Sequence, residues 1–142
     1  MNYRSSPLTK GKNVLLVEDS PTQALGTKAM LEECGLNVVC AINGVMGIRL
    51  AYQMIPDVII LDVQMPDING FEVCQELKSD PETEKIPIIM LTRQDTPEAF
   101  QQGIEVGAID FIPKDAFAMV VLKETLRQMG IIEEPMATQD KE

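Results

Sequence analysis

The sequence predicts an α/β domain in which a parallel sheet is flanked by helices. Three observations predict it. Short apolar runs alternate with amphipathic stretches five times along the chain, the pattern of strand–helix units around a parallel sheet. Apolar residues make up 45% of the chain and aromatic residues only 4%, so Val, Ile, Leu, Met and Ala must build a core suited to strands buried on both faces. At 142 residues the chain has the length of one domain and can bury a proper core.

The first strand spans about 13–17 and ends at Glu18-Asp19. Ser20-Pro21-Thr22-Gln23 then opens a helix: Ser20 can cap, Pro21 fills the first helical position where no N–H is needed, and Gln23 completes a capping box. Ala24, Thr27, Leu31 and Cys34 follow at helical spacing, and Gly35 ends the helix in the left-handed region. The second strand covers 37–41, and a helix of 44–54 follows Asn43, weakened by Gly44 and Gly47. The third strand covers 57–61, and a helix of about 70–79 turns Phe71, Cys74 and Leu77 inward. The fourth strand covers 86–91; Thr96-Pro97 opens a helix of 97–106, closed by Gly107. The fifth strand covers 108–112, and Asp115 caps a last helix to about 129 that aligns Ala118, Leu122, Thr125 and Met129 on one face. The expected organisation is an arm over 1–12, one domain over 13–130, and a flexible polar tail over 131–142.

Charge and composition exclude several functions. A net charge of −10 opposes direct nucleic-acid binding, which needs clustered Lys and Arg. The chain has no histidine, so Ser-His-Asp and Cys-His hydrolases, His-ligated zinc and a phosphohistidine of its own are all ruled out. No apolar stretch has the length to span a bilayer, and the start of the chain lacks the apolar segment of a signal peptide. Cys34, Cys40 and Cys74 show no metal-ligand spacing and read as free thiols of a reducing cytoplasm.

The chemistry gathers at the ends of the apolar runs. Asp62 ends the run Val58-Ile-Ile-Leu61, Glu18-Asp19 follow Val14-Leu-Leu-Val17, Thr92 follows Ile88-Ile-Met-Leu91, and Lys114 lies just beyond Phe111-Ile112. Sheets of this kind place ligands at the carboxyl ends of their strands. Clustered Glu18, Asp19 and Asp62 would repel unless a cation neutralised them, and a hard site with few direct carboxylates suits Mg2+. Its expected ligands are Asp19, Asp62 and the backbone carbonyl of Gln64, with Glu18 acting through a water. Asp62 could then attack a phosphorus, with Lys114 and the Thr92 hydroxyl each contacting an equatorial oxygen.

These residues carry a resemblance. From Val14 to about Met129 the chain resembles the receiver domain of two-component response regulators, in Leu15-Leu-Val-Glu-Asp-Ser20, Ile59-Ile-Leu-Asp-Val-Gln-Met-Pro-Asp-Ile-Asn-Gly70, Pro87-Ile-Ile-Met-Leu-Thr92 and Gly107-Ala-Ile-Asp-Phe-Ile-Pro-Lys114. The resemblance implies a flavodoxin-like, doubly wound five-stranded sheet of order 2-1-3-4-5 with five helices. It assigns the phospho-acceptor to Asp62, the acidic pair to Glu18 and Asp19, the switch hydroxyl to Thr92, the lysine to Lys114 and the switch aromatic to Phe111. One departure is visible. Receivers usually follow this lysine with a proline whose cis peptide aims it, whereas here Asp115 follows and the proline is Pro113.

The expected function is a stand-alone, cytoplasmic receiver, phosphorylated on Asp62 by a partner histidine kinase or histidine phosphotransfer protein in a Mg2+-dependent step. Its output would be a protein contact through the face of the fourth helix, fifth strand and last helix, where Phe117 and Val121 are partly exposed and a dimer would also form. Gln64 and Gln94 flank the path expected for the hydrolytic water. Such a protein catalyses only its own phosphorylation and dephosphorylation. Two other functions fit parts of the pattern. One is a receiver-like interaction module that works without phosphorylation. The other is an aspartyl-phosphate phosphatase, which wants a general acid two residues after its nucleophile, where this chain has Gln64.

Overall fold

A computed structural model describes residues 11–133; most of the expected arm and tail lies outside them. The elements alternate as expected: β1 (Asn13–Val17), α1 (Pro21–Glu33), β2 (Asn37–Ala41), α2 (Gly44–Met54), β3 (Val58–Leu61), α3 (Gly70–Lys78), β4 (Ile88–Thr92), α4 (Pro97–Glu105), β5 (Asp110–Pro113) and α5 (Ala118–Gln128). The strands form one parallel sheet of order β2-β1-β3-β4-β5, so every carboxyl end lies along the same edge.

Period-two alternation divides the core in two. Leu15, Val17, Ile59, Leu61, Ile88, Met90 and Phe111 face α2, α3 and α4. Val14, Leu16, Val58, Ile60, Ile89, Leu91 and Ile112 face α1 and α5. Apolar side chains on both faces explain why the strands read as unbroken apolar runs rather than alternating ones.

The helix caps act largely as the sequence indicates. Ser20 accepts from Gln23 N–H at 3.3 Å, Asn43 from Met46 N–H at 2.8 Å and Thr96 from Ala99 N–H at 3.1 Å. Gly35 and Gly107 take φ values of +90° and +107°, the left-handed geometry that terminates a helix without a Cβ clash. Gly47 has a packing reason beyond propensity: a Cβ there would lie 3.0 Å from the Val17 side chain, so its absence lets α2 approach β1.

Several expectations need correction. Asp115 does not cap α5. The helix begins three residues later with Phe117 in the cap position and no side-chain cap, because Asp115 accepts the Phe117 N–H in a local turn at 2.9 Å. On α5 it is Leu126, with Ala118 and Leu122, that is buried, while Thr125 and Met129 are only half-buried. β4 and β5 start two residues later than read, since buried Ile86 and Ala108 belong to the preceding turns. Ile132, placed in the tail by its sequence, packs with Leu122 and Leu126, and its N–H reaches the Leu126 carbonyl at 3.3 Å.

Candidate phosphoacceptor site

Glu18, Asp62 and Lys114 each lie just past the last paired residue of their strand, and a backbone bond fixes each there. Glu18 N–H donates to the Ala41 carbonyl at 3.0 Å, Asp62 N–H to Val17 at 3.0 Å and Lys114 N–H to Thr92 at 2.8 Å. The strand order puts β1 and β3 side by side, so Glu18, Asp19 and Asp62 converge. One oxygen from each lies within 4.8 Å of the others. Glu18 and Asp62 are buried and Asp19 is exposed.

Lys114 closes the cluster from the far side of the sheet. Its ammonium donates to Glu18 Oε1 at 2.5 Å, Gln23 Oε1 at 2.6 Å and Asp62 Oδ2 at 3.0 Å. Burial pushes the Glu18 carboxyl above the usual range and the nearby Asp62 charge adds to this, while Lys114 and the Ser20 N–H pull it down. The Lys114–Asp115 peptide is trans, since no cis bond occurs among the described residues.

The loop carrying Asp62 is fastened at both ends. Gly70 N–H donates to the Val63 carbonyl at 2.8 Å, and a Cβ on Gly70 would clash with the Asp62 carbonyl oxygen, so only glycine permits the closure. Both oxygens of Asp67 accept the first amides of α2, Gly44 N–H at 2.9 Å and Val45 N–H at 2.8 Å. Burial raises the Asp67 carboxyl, but the donors from Val45, Gly44 and Ile68 outweigh that and hold it below the ordinary value. Asn69 and Glu72 form a reciprocal capping box on α3.

The acids, Lys114, Gln64, Gln23 and Arg93 line a cavity of about 180 Å3. Gln64 N–H bonds Asp62 Oδ1 at 3.2 Å. Thr92 is fully buried at the end of β4 and does not line this cavity. Its Oγ1 accepts the Gln94 N–H at 3.1 Å, which leaves the hydroxyl hydrogen to donate. Phe111 is also buried, its ring 5.8 Å from Phe100 in an edge-to-face pair at 77°. The bare Cα of Gly103 makes room for it, since a Cβ there would meet the ring at 2.8 Å.

Two lining residues escaped the sequence reading. Gln23 does not complete the capping box that Ser20-Pro21-Thr22-Gln23 predicts; its side chain accepts from Lys114 instead. Arg93 follows Thr92 and stands in the cavity wall; only its position one residue past a site residue could have flagged it.

The donor set suits Mg2+. Three carboxylate oxygens within 4.8 Å of one another are hard, anionic donors, and the Lys114 ammonium pairs with two of these carboxylates, Glu18 and Asp62.

A doubly wound parallel sheet with clustered acids and a lysine at its carboxyl edge defines a phosphoacceptor switch domain. The model of the response regulator receiver domain matches residues 14–127, and the chain belongs to that family. It is 40% identical over 110 residues to protein PilH of Pseudomonas aeruginosa, covering 78% of this chain and 91% of PilH. Its fold is similar to that of the chemotaxis response regulator CheY4 of Vibrio cholerae, with TM-score 0.77, 33% identity, and coverage of 84% of this chain and 98% of that one. It is also similar to the receiver domain of a Pseudomonas aeruginosa sensor histidine kinase with a magnesium ion in its active site cleft, with TM-score 0.76, 27% identity, and coverage of 84% and 97%. The chain is thus a receiver of two-component phosphorelay signalling. No helix among the described residues is long and apolar enough to cross a membrane.

Proposed function

We propose that Asp62 accepts a phosphoryl group from the phosphohistidine of a kinase or phosphotransfer protein. The observation that carries this reading is the convergence on Asp62 of two further carboxylates and the Lys114 ammonium. An Asp62 carboxylate oxygen attacks phosphorus, the P–N bond to the donor imidazole breaks, and the electron pair leaves with that nitrogen. Asp62 becomes an acyl phosphate, and the chain itself is a phosphoacceptor rather than a turnover enzyme.

Asp19, Asp62 and the Gln64 carbonyl would hold Mg2+, with Glu18 acting through a water. When bound, the ion would supply neutralising positive charge to the acids and the incoming phosphoryl group. Lys114 then contacts one phosphoryl oxygen and the Thr92 hydroxyl another. Drawing Thr92 toward the phosphoryl group changes the packing beside β5, where Phe111 lies on the same face. Because that ring is already buried, its response is a shift inside the core rather than entry from solvent. Gln64 and Gln94 flank the approach of the hydrolytic water.

The outlet is the α4–β5–α5 face. Phe100 and Ile104 on α4, and Phe117, Val120 and Val121 at the start of α5, are exposed, which suits a protein partner or a second receiver. The chain's charge of −10 disfavours DNA, and a cytoplasmic site of action fits a phosphohistidine donor.

Incubation with acetyl phosphate and Mg2+ should add one base-labile phosphoryl group, and Asp62→Asn should remove it. Equal labelling of both proteins by intact mass would overturn the assignment.

A further inference from the structure

We propose that Gln23 is a positioning residue that holds Lys114 in the phosphoacceptor cavity while its other two partners are engaged in phosphoryl transfer. An ammonium carries three N–H donors. Those of Lys114 meet Glu18, Gln23 and Asp62 at 2.5, 2.6 and 3.0 Å. The three acceptors come from the end of β1, the first turn of α1 and the end of β3, so the ammonium is triangulated from three separate elements.

The partners differ in what the reaction asks of them. Asp62 bonds to phosphorus, and Glu18 belongs to the acid cluster that a divalent cation would draw upon. Gln23 is the one acceptor with no part in either event. It is also neutral, so it orients the ammonium without cancelling the positive charge that a phosphoryl oxygen must meet. A carboxylate in its place would compete with that oxygen.

Gln23 is itself held. Its backbone N–H donates to Ser20 Oγ at 3.3 Å, and Pro21 fixes the first turn of α1 ahead of it. The Lys114 main chain is bonded to Thr92, but its side chain has no other such support, since the turn that follows it is closed by bonds within residues 113–118. Beside it opens a cavity of about 410 Å3 lined by Gln23, Thr27, Arg93, Lys114 and Met119. Without the Gln23 carbonyl, a lysine released by Asp62 has room to swing there, away from phosphorus.

This inference rests on the reading of Asp62 as acceptor, and the test separates the two. The rate of acetyl phosphate labelling is followed by intact mass for wild type, Gln23→Leu, the unbranched Gln23→Met, Lys114→Ala, the Gln23→Leu/Lys114→Ala double variant, and Asp62→Asn. Loss of one hydrogen bond to a charged group should slow both Gln23 variants about tenfold, with the thermal shift produced by Mg2+ unchanged. In the Lys114→Ala background Gln23→Leu should slow labelling no further, a coupling that a merely structural role of α1 would not give. Wild-type rates in both Gln23 variants, with Asp62→Asn unlabelled, would overturn the role of Gln23 alone. Additive losses in the double variant would overturn it as well. Labelling of Asp62→Asn at the wild-type rate would overturn both readings.

Discussion

Two loops meet at the phosphoacceptor cavity and are built in opposite ways. The β3–α3 loop, residues 63–69, is closed on itself by the Gly70–Val63 bond and the Asn69–Glu72 capping box and is tied to α2 by both oxygens of Asp67. The β5–α5 loop, residues 114–117, is closed by bonds within a few residues. Its long-range ties are those of Lys114 itself, by its N–H to Thr92 and by its ammonium to Glu18, Gln23 and Asp62. Both residues are fixed at the main chain, Asp62 to Val17 and Lys114 to Thr92; beyond that, the loop after Asp62 is held by a second element through Asp67, whereas the ammonium is placed by its own three side-chain partners. In the proposed reaction this arrangement would keep Asp62 in place and leave the Lys114 ammonium free to move from carboxylate to phosphoryl oxygen.

The contrast is easiest to break at Gly70. Gly70→Ala places a Cβ against backbone atoms of Asp62 and Val63, which cannot swing aside as a side chain can. It should cost about 2–3 kcal/mol and misplace Asp62, so urea unfolding and acetyl phosphate labelling should both fall. Lys114→Ala separates the two loops. It should lower the labelling rate on the order of 100-fold while the β3–α3 loop, judged by amide chemical shifts over residues 63–69, keeps its form.

Asp67→Ala is milder. It removes both side-chain acceptors from the amides of Gly44 and Val45, and the loop that presents the Gln64 carbonyl loosens. The melting temperature should drop by a few degrees and Mg2+ affinity should weaken, as read by calorimetry; unchanged affinity would show that the loop needs no clamp.

The smallest effect sharpens the comparison from behind the rigid loop. Cys74 on α3 is buried, and burial pushes its thiol up to about 11 from an ordinary 9.0. A raised thiol favours the protonated folded state, so its contribution to stability is complete below the ordinary value and is lost as pH rises through the folded one. At pH 8 iodoacetamide should modify half-buried Cys34 and Cys40 well before Cys74.

Much of this was legible in the chain. Ser20-Pro21 and Thr96-Pro97 mark helix starts, because hydroxyl caps and proline at the first position have one compatible geometry. Asp62, Glu18, Asp19 and Lys114 converge because topology carries strand ends to one edge regardless of sequence separation. What escaped depends on side-chain direction. A glutamine in a first helical turn can fold back on its own helix or reach across a cavity, and nothing local to Gln23 decides between them; Lys114, 91 residues away, does. Asp115 misled for a related reason, since an aspartate before a helix can close its own small turn as readily as cap. Gly44 and Gly47 carry a packing role that sequence alone does not show, since a propensity scale records the entropy that a glycine costs and not the neighbour it admits.

The amides of Glu18, Asp62 and Lys114 are each bonded to the carbonyl of a residue on a neighbouring strand: Ala41, Val17 and Thr92. The sheet thus addresses these positions through the main chain and leaves their side chains to the chemistry. Exchanging a side chain at 18, 62 or 114 subtracts a functional group without erasing the place where it stood. The edge behaves as a rack of fixed sockets, into which a different set of side chains could be fitted to serve a different reaction on the same frame.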